Sequence, residues 1–150
     1  MPTTDAALPA DDMAWRDALD PAAFPVEPDE EPWTLEELQE VVDELVSDIK
    51  RQRLIIEQTQ AELVGIRDGS DVTGRDPADV GSANFERDHE MSLVRNSEEL
   101  LDQSERALAA IKRGTYGRCE NCGQPIGKGR LQIIPRATLC KPCKEREERR

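Results

Sequence analysis

The chain has 150 residues, a net charge of −12, 35% charged side chains and only 3% aromatic side chains. Such a composition excludes a large apolar core, so stability has to come from helix pairing, a bound metal or a partner. No run of about 18 apolar residues and no basic, apolar leader is present, which predicts a cytoplasmic protein without a membrane span or a secretory signal.

The charge is divided unevenly along the chain. Residues 112–150 hold eleven Lys and Arg against four Glu, a net charge of +7, which leaves −19 on residues 1–111. The acidic part disfavours binding to duplex DNA, because neutralisation of phosphates dominates that binding. The basic end could still contact phosphate or an acidic protein surface.

Residues 1–33 are rich in proline and acidic side chains. Six of the ten prolines and nine acidic residues fall here, with a single Arg. This composition predicts a mostly disordered tail. The stretch "DMAWRDAL" could form one or two helical turns, and neither Trp15 nor Trp33 has a specific predicted role.

A long helix is predicted from residue 34 to about Arg67. Thr34 and Glu37 have the spacing of a capping box, in which each side chain bonds the other's backbone N–H. Apolar residues then recur every three or four positions, which is a heptad stripe. Its members are Leu35, Leu38, Val42, Leu45, Ile49, Ile56, Leu63 and Ile66, with Gln52 and Thr59 at two positions of the same series.

A second helix is predicted from about Ser82 to Arg113, where Gly114 ends it. Its stripe contains Val94, Ser97, Leu101, Ser104, Leu108 and Ile111. The stretch between the helices, "DGSDVTGRDPADVGS" at 68–82, contains turn residues and Pro77, which argue against one continuous rod. The two helices are therefore expected to form an antiparallel coiled-coil hairpin over 34–113, with an acidic tip at 68–82. A solitary coiled coil is the alternative.

The strongest chemical signal lies in the last part of the chain, 114–150. Two Cys-x2-Cys pairs separated by seventeen residues supply the candidate metal ligands Cys119, Cys122, Cys140 and Cys143. This spacing is typical of structural zinc, and four thiolates leave no open position for catalysis. One structural Zn²⁺ is expected, because the apolar cluster of the segment is small: Tyr116, Ile126, Leu131, Ile133 and Leu139. Disulfides or an iron–sulfur cluster are the alternatives. A short charged helix follows Cys143.

Sequence motifs for catalysis are missing. The chain has no phosphate-binding Gly-rich loop and no nucleophile elbow, and its single histidine is His89. The loop at 68–82 does not match a calcium-binding EF-hand. An enzyme is not expected.

A hairpin with an acidic tip that leads into "GTYGRCENCGQPIGKGRLQIIPRATLCKPC" resembles the DksA/TraR family of bacterial transcription factors, over about residues 34–146. The resemblance implies a monomer that binds RNA polymerase, inserts its coiled coil into the secondary channel and changes the lifetime of promoter open complexes, as part of the stringent response. It implies no sequence-specific reading of DNA.

The family's tip motif, Asp-x-x-Asp-x-Ala, falls on residues 76–81 of this chain. The resemblance assigns the polymerase active-site contact to Asp76 and Asp79, while Gly81 stands in place of the alanine. An ungapped match puts the family's basic alarmone positions on Gln103, Ile134 and Lys144. Only Lys144 is basic, so the resemblance implies an alarmone or polymerase-rim contact there and argues against a strong response to ppGpp.

Two other functions compete with this interpretation. The basic C-terminal segment would suit a DNA- or RNA-binding zinc protein, although the acidic helices and the few aromatic side chains count against it. A coiled-coil adapter or stress protein that is stapled by zinc and does not act through polymerase is the other alternative.

Overall fold

The computed structural model describes residues 13–69 and 77–149, and within these it leaves out the side chains of 66–69, 77–80 and 83. The described residues form five α-helices and no strand. The helices are α1 (Ala14–Asp17), α2 (Leu35–Gly69), α3 (Pro77–Arg113), α4 (Lys128–Ile133) and α5 (Lys141–Glu148), with a 3-10 turn at Pro21–Ala23. None of the described helices is both long and apolar enough to cross a membrane. The predicted mainly α fold is confirmed.

The start of α2 is fixed by the capping box that the sequence predicts. The backbone N–H of Glu37 donates to Thr34 Oγ1 at 3.1 Å, and the backbone N–H of Thr34 donates to Glu37 Oε1 at 2.9 Å. Two of the backbone donors that a helix start leaves unpaired are thereby satisfied.

The beginning of α3 differs from the expectation. The helix starts at Pro77 and not near Ser82, because proline has no N–H to lose and a suitable φ at the first helical position. Asp79 and Gly81 are therefore helical residues and do not belong to a loop that reaches residue 82. Asp71 and Asp76 lie outside the described residues.

Helices α2 and α3 pack against each other as an antiparallel coiled-coil hairpin. The chain divides into two compact units, one of residues 1–48 with 103–150 and one of Ile49–Asp102. In the first unit, the seam buries Leu38, Val41, Val42, Leu45, Leu108 and Ile111. In the second unit, it buries Ile49, Gln52, Thr59, Val94 and Ser97. The heptad stripe thus predicts the seam, including its polar positions.

One polar pair lies inside the seam of the first unit. Ser104 Oγ donates to Asp48 Oδ2 at 2.6 Å, and the two residues are only 1% and 8% exposed. Burial of a carboxylate is costly unless it is hydrogen-bonded, so this pair favours one register of α2 against α3.

The segment that precedes α2 corrects the expectation of a disordered tail. The structure describes this segment from Met13 onward, and α1 lies inside the stretch for which helical turns are predicted. Phe24 and Trp33 are buried, at 5% and 3% exposed. Composition suggested disorder because it counts apolar residues, and two aromatic side chains are enough to hold a short segment once a surface exists for them.

The end of α3 is a Schellman motif. The N–H of Gly114 donates to Ile111 O and the N–H of Thr115 donates to Ala110 O, at 3.1 and 2.9 Å. Gly114 has φ +79°, a conformation that glycine adopts without strain. The predicted helix end is confirmed, and the chain leaves it directly into the four-cysteine module at 114–149.

Candidate metal centre

The sulfur atoms of Cys119, Cys122, Cys140 and Cys143 lie within 4.8 Å of one another. None of them forms a disulfide. Three of the cysteines are buried and Cys122 is exposed. The structure therefore brings together the four residues that the sequence predicts as metal ligands.

The first cysteine pair lies on a tight turn. The N–H of Gly123 donates to Cys119 O at 3.0 Å, and the N–H of Cys119 donates to Gln124 O at 2.8 Å. Gly123 has φ +75°, which lets the chain reverse directly after Cys122. Both sulfurs consequently point to the same side of the turn.

The second cysteine pair lies at the start of a helix. Cys140 is the N-cap residue of α5 and Cys143 lies in its first turn, with a proline between them. Proline is favourable at a helix start, and the partial positive charge there favours thiolate. The two pairs are thus positioned by different local structures, a turn and a helix N-terminus.

The pKa values of Cys119 and Cys140 are shifted in opposite directions. Burial raises the pKa of Cys119, but hydrogen bonds from backbone N–H groups outweigh it and bring this pKa down to about 6. A backbone hydrogen bond from Cys143 lowers the pKa of Cys140, yet burial and the neighbouring thiols raise it to about 12. Like charges this close cannot all form in the absence of a cation.

The donor set fits a tetrahedral thiophilic ion. Cys122 Sγ lies 3.7 Å from Cys140 Sγ. Four sulfurs at about 2.3 Å from a central zinc would be about 3.8 Å apart. A closed site of this kind offers no position for water or substrate, so its role is structural. The residues present therefore fit a structural metal ion.

The apolar cluster around the site is smaller than the sequence suggested. Tyr116, Ile126 and Leu131 are buried, at 3%, 4% and 0% exposed. Burial raises the pKa of Tyr116, whose hydroxyl donates to Pro135 O at 2.7 Å. Ile133, expected in this cluster, is instead 81% exposed, because the short helix α4 turns it away from Leu131.

Residues 24–33, which the sequence assigned to a tail, complete the surface of the module. The ring of Phe24 meets the ring of Tyr116 edge-on, with centroids 6.4 Å apart. Pro25 lies against Gly117, where an added Cβ would be 3.4 Å from Pro25 Cδ. No local signal could have shown these contacts, since their partners are about ninety residues apart in sequence.

Glu30 caps the first turn of α4 from a distant part of the chain. Its carboxylate accepts the backbone N–H groups of Lys128 and Gly129, at 2.8 and 2.9 Å, and that of Glu27 at 2.8 Å. Burial raises the pKa of Glu30, but these three hydrogen bonds outweigh it, and the net effect is a lowered pKa.

Two side chains that the sequence did not single out contact a ligand sulfur. Asn121 Nδ2 donates to Cys143 Sγ at 3.3 Å, and Arg146 Nη2 donates to the same atom at 3.1 Å. Together they lower the pKa of Cys143, Asn121 more than Arg146. The position of Arg146, one helical turn after Cys143, was the available signal.

The other predicted site residues lie on α3 and α5 or outside the described residues. Asp79 and Gly81 occupy the third and fifth positions of α3, in the second unit. Asp76 lies outside the described residues. Lys144 is exposed on α5, with Nζ 3.8 Å from Glu147. Of the other two positions matched to basic residues, Gln103 lies on α3 and Ile134 is the C-cap of α4.

Known proteins with a similar sequence or structure include other four-cysteine zinc-finger proteins. Residues 114–149 match the family model described as "Prokaryotic dksA/traR C4-type zinc finger". A solved structure, that of transcription factor DksA2 from Pseudomonas aeruginosa, is 34% identical with a TM-score of 0.59. The match covers 73% of this chain and 81% of that one.

Curated relatives give shorter matches. The RNA polymerase-binding transcription factor DksA of Caulobacter vibrioides is 37% identical over 75 residues, which are 50% of this chain and 53% of the relative. General stress protein 16O of Bacillus subtilis is 39% identical over 62 residues, 41% of this chain and 38% of that protein. The chain thus spans about half the length or less of these relatives. The four-cysteine geometry, the helical hairpin and the similarity to DksA2 together show that the chain belongs to the DksA/TraR family of C4-type zinc-finger proteins.

Proposed function

We propose that this protein is a transcription regulator that binds RNA polymerase and inserts its coiled-coil hairpin into the secondary channel, where it changes the stability of open complexes. The observation that carries the proposal is the hairpin joined to a four-cysteine module in this chain, together with the similarity to the DksA2 structure over 73% of the chain's length. A similar protein is named for its binding to RNA polymerase. The proposed role needs no catalytic group of the protein's own.

In this proposal the metal is a single Zn²⁺ held by Cys119, Cys122, Cys140 and Cys143. Its binding supplies folding free energy that the small apolar cluster of the module cannot supply. The module then provides a folded surface at the channel rim, where exposed Lys144 would contact polymerase. A groove of about 260 Å³ is lined in part by Arg113, Arg118 and an Arg106–Glu120 ion pair of 3.2 Å, so its net charge is positive. A basic surface of this kind suits an acidic partner segment.

Two acidic residues at and just before the start of α3 would act inside the channel by charge and hydrogen bonding. Asp76 and Asp79 are the proposed contacts, next to the magnesium and basic groups of the polymerase active site. Gly81 departs from the family's alanine. An added Cβ at Gly81 would have no atom within 4 Å, so the alanine can be restored without a steric clash.

Binding of the zinc-loaded protein to RNA polymerase core enzyme tests the proposal. A Gre-type cleavage factor should displace it, because both would occupy the secondary channel. The Asp76→Asn/Asp79→Asn double variant should still bind but should no longer change open-complex lifetime. Gly81→Ala should keep binding and strengthen the effect on lifetime.

Two results would count against this function. Absence of binding, or binding that the cleavage factor cannot displace, would move the weight to a coiled-coil adapter with a zinc staple, a role for which similarity to a general stress protein is the support. Full activity of the double variant would remove the proposed role of the two aspartates while leaving polymerase binding intact.

A further inference from the structure

Cys143 is distinguished from the other candidate ligands by two side-chain donors. The amide of Asn121 and the guanidinium of Arg146 lie 3.3 and 3.1 Å from its sulfur. They come from separate elements, Asn121 from the turn of the first cysteine pair and Arg146 from α5. Backbone N–H groups are the nitrogen donors to the sulfurs of Cys119 and Cys140. Because side chains can be replaced by mutation, the two hydrogen bonds to the Cys143 sulfur can be tested individually.

The negative charge of the metal-loaded site explains why a positively charged side chain lies beside it. Four thiolates around a divalent ion leave a net charge of −2 in a largely buried setting. Arg146 brings one positive charge to 3.1 Å from a sulfur, and N–H donation to a charged acceptor is stronger than a neutral hydrogen bond. The N-terminus of α5 acts in the same direction.

A cavity borders Cys143 and both of its side-chain donors. It has a volume of about 240 Å³ and is lined by Asn121, Leu139, Cys143, Arg146 and Glu147. Cys143 itself is only 3% exposed, and both of its side-chain donors line the same cavity. A chelator that enters the cavity would therefore meet Asn121 and Arg146 beside Cys143.

We propose that Asn121 and Arg146 are positioning residues for Cys143, which fix the direction of its sulfur, offset its charge and so slow the loss of the metal through this cavity. The inference concerns metal retention and does not depend on the binding of polymerase. Removal of a hydrogen-bond partner of a metal ligand usually lowers metal affinity by about 10- to 100-fold, which sets the expected size of the effect.

The first test is the rate at which full-length, zinc-loaded protein gives up zinc to a chromogenic chelator. We expect Arg146→Met and Asn121→Ala each to release zinc about 10-fold faster than the original protein. Arg146→Lys keeps the positive charge and a donor group. Its rate of zinc release should therefore fall between those of Arg146→Met and the original protein. Arg149→Met changes an exposed arginine directly after the same helix and is the matched control.

The second readout is the sulfur-to-metal charge-transfer absorption of the Co²⁺-substituted protein. This absorption reports electron density on the sulfurs, so Arg146→Met should shift it and Arg149→Met should not. Far-UV circular dichroism before chelator addition checks that each variant is folded. If Arg146→Met loads no metal, the comparison of Arg146→Lys with Arg149→Lys replaces it.

The proposal is overturned if Arg146→Met and Arg149→Met release zinc at the same rate and have the same charge-transfer absorption. A second pair of results also overturns it: Arg146→Lys releases zinc as fast as Arg146→Met, and neither variant shifts the charge-transfer absorption from that of the original protein. The arginine would then only support the packing of α5.

Discussion

The ammonium group of Lys128 lies 2.7 Å from the carboxylate of Glu37, and this ion pair joins the first turn of α2 to the first turn of α4. Lys128 Nζ also donates to Pro32 O at 3.2 Å and lies 5.9 Å from the ring centre of Trp33. The Lys128 side chain is 13% exposed and that of Glu37 is 26% exposed, so water screens the pair only in part. Three contacts of one lysine thereby hold the four-cysteine module to the base of the hairpin within the first unit.

We expect Lys128→Ala to lower the free energy of unfolding by about 1–2 kcal/mol, because a partly buried, charged hydrogen bond and a cation–π contact are lost together. Urea denaturation of the zinc-loaded protein measures the change without adding salt. Lys144→Ala is the matched control, since its pair with Glu147 is long and exposed. Equal effects of the two variants would show that Lys128 contributes no more than a surface lysine.

Acid should weaken the attachment of residues 24–33 through Glu30. The folded state lowers the pKa of Glu30 from its ordinary 4.5, so the folded state favours the carboxylate. Its contribution is therefore complete above pH 4.5 and is lost as the pH falls through the lower folded pKa. In a Trp15→Phe background, Trp33 fluorescence should report detachment as the pH falls below 4.5, and metal content must be followed in parallel.

The Glu30→Gln variant separates this effect from acid release of the metal. Its amide cannot ionise and its NH2 group cannot accept the N–H groups of α4, so the attachment should be weakened already at pH 7. If the pH profile of Trp33 fluorescence is the same in Glu30→Gln as in the original protein, Glu30 is not the group that titrates.

The buried pair in the hairpin seam should contribute through one hydrogen bond. Ser104→Ala removes the donor to Asp48 and is expected to destabilise the protein by about 1–3 kcal/mol, because the carboxylate keeps its burial and loses a partner. A double-mutant cycle with Asp48→Asn, measured by urea denaturation, isolates the pair. A coupling free energy near zero would contradict the contribution inferred for this hydrogen bond.

The contact between Phe24 and Tyr116 predicts a role for the segment before α2. Phe24→Ala should cost about 3 kcal/mol, since it removes a buried ring that packs edge-on against another. Phe85→Ala is the control, because Phe85 is 78% exposed and its truncation should change stability little. Limited proteolysis after residue 33 should accelerate in Phe24→Ala and not in Phe85→Ala; the same rate in both would contradict the role assigned to Phe24.

Local patterns in the sequence predicted what local interactions decide. The Thr34–Glu37 capping box, the Gly114 helix end and the polar positions of the seam depend on residues three to seven apart, and the structure has all of them. The spacing of the cysteine pairs is likewise typical of a metal site, which is why the sequence alone groups the four sulfurs.

Contacts between distant parts of the chain were not predictable in this way. Glu30 is 98 residues from Lys128, and neither residue has a neighbour in sequence that points to the other. Composition predicted a mostly disordered tail for residues 1–33, although Phe24 and Trp33 are buried. Ile133 shows the converse, because the six-residue helix α4 buries Leu131 and leaves the apolar side chain of Ile133 81% exposed.

Two glycines of the four-cysteine module have a backbone conformation that disfavours larger residues, and both face the segment before α2. Gly117 and Gly127 have φ +101° and +112°, and a Cβ at either would lie 3.4 Å from Pro25 or Glu27. A larger residue at these positions would therefore strain the backbone, and its Cβ would contact the segment before α2. In related chains, these glycines and the residues facing them should change together, so covariation between them would reveal which family members carry the same N-terminal packing.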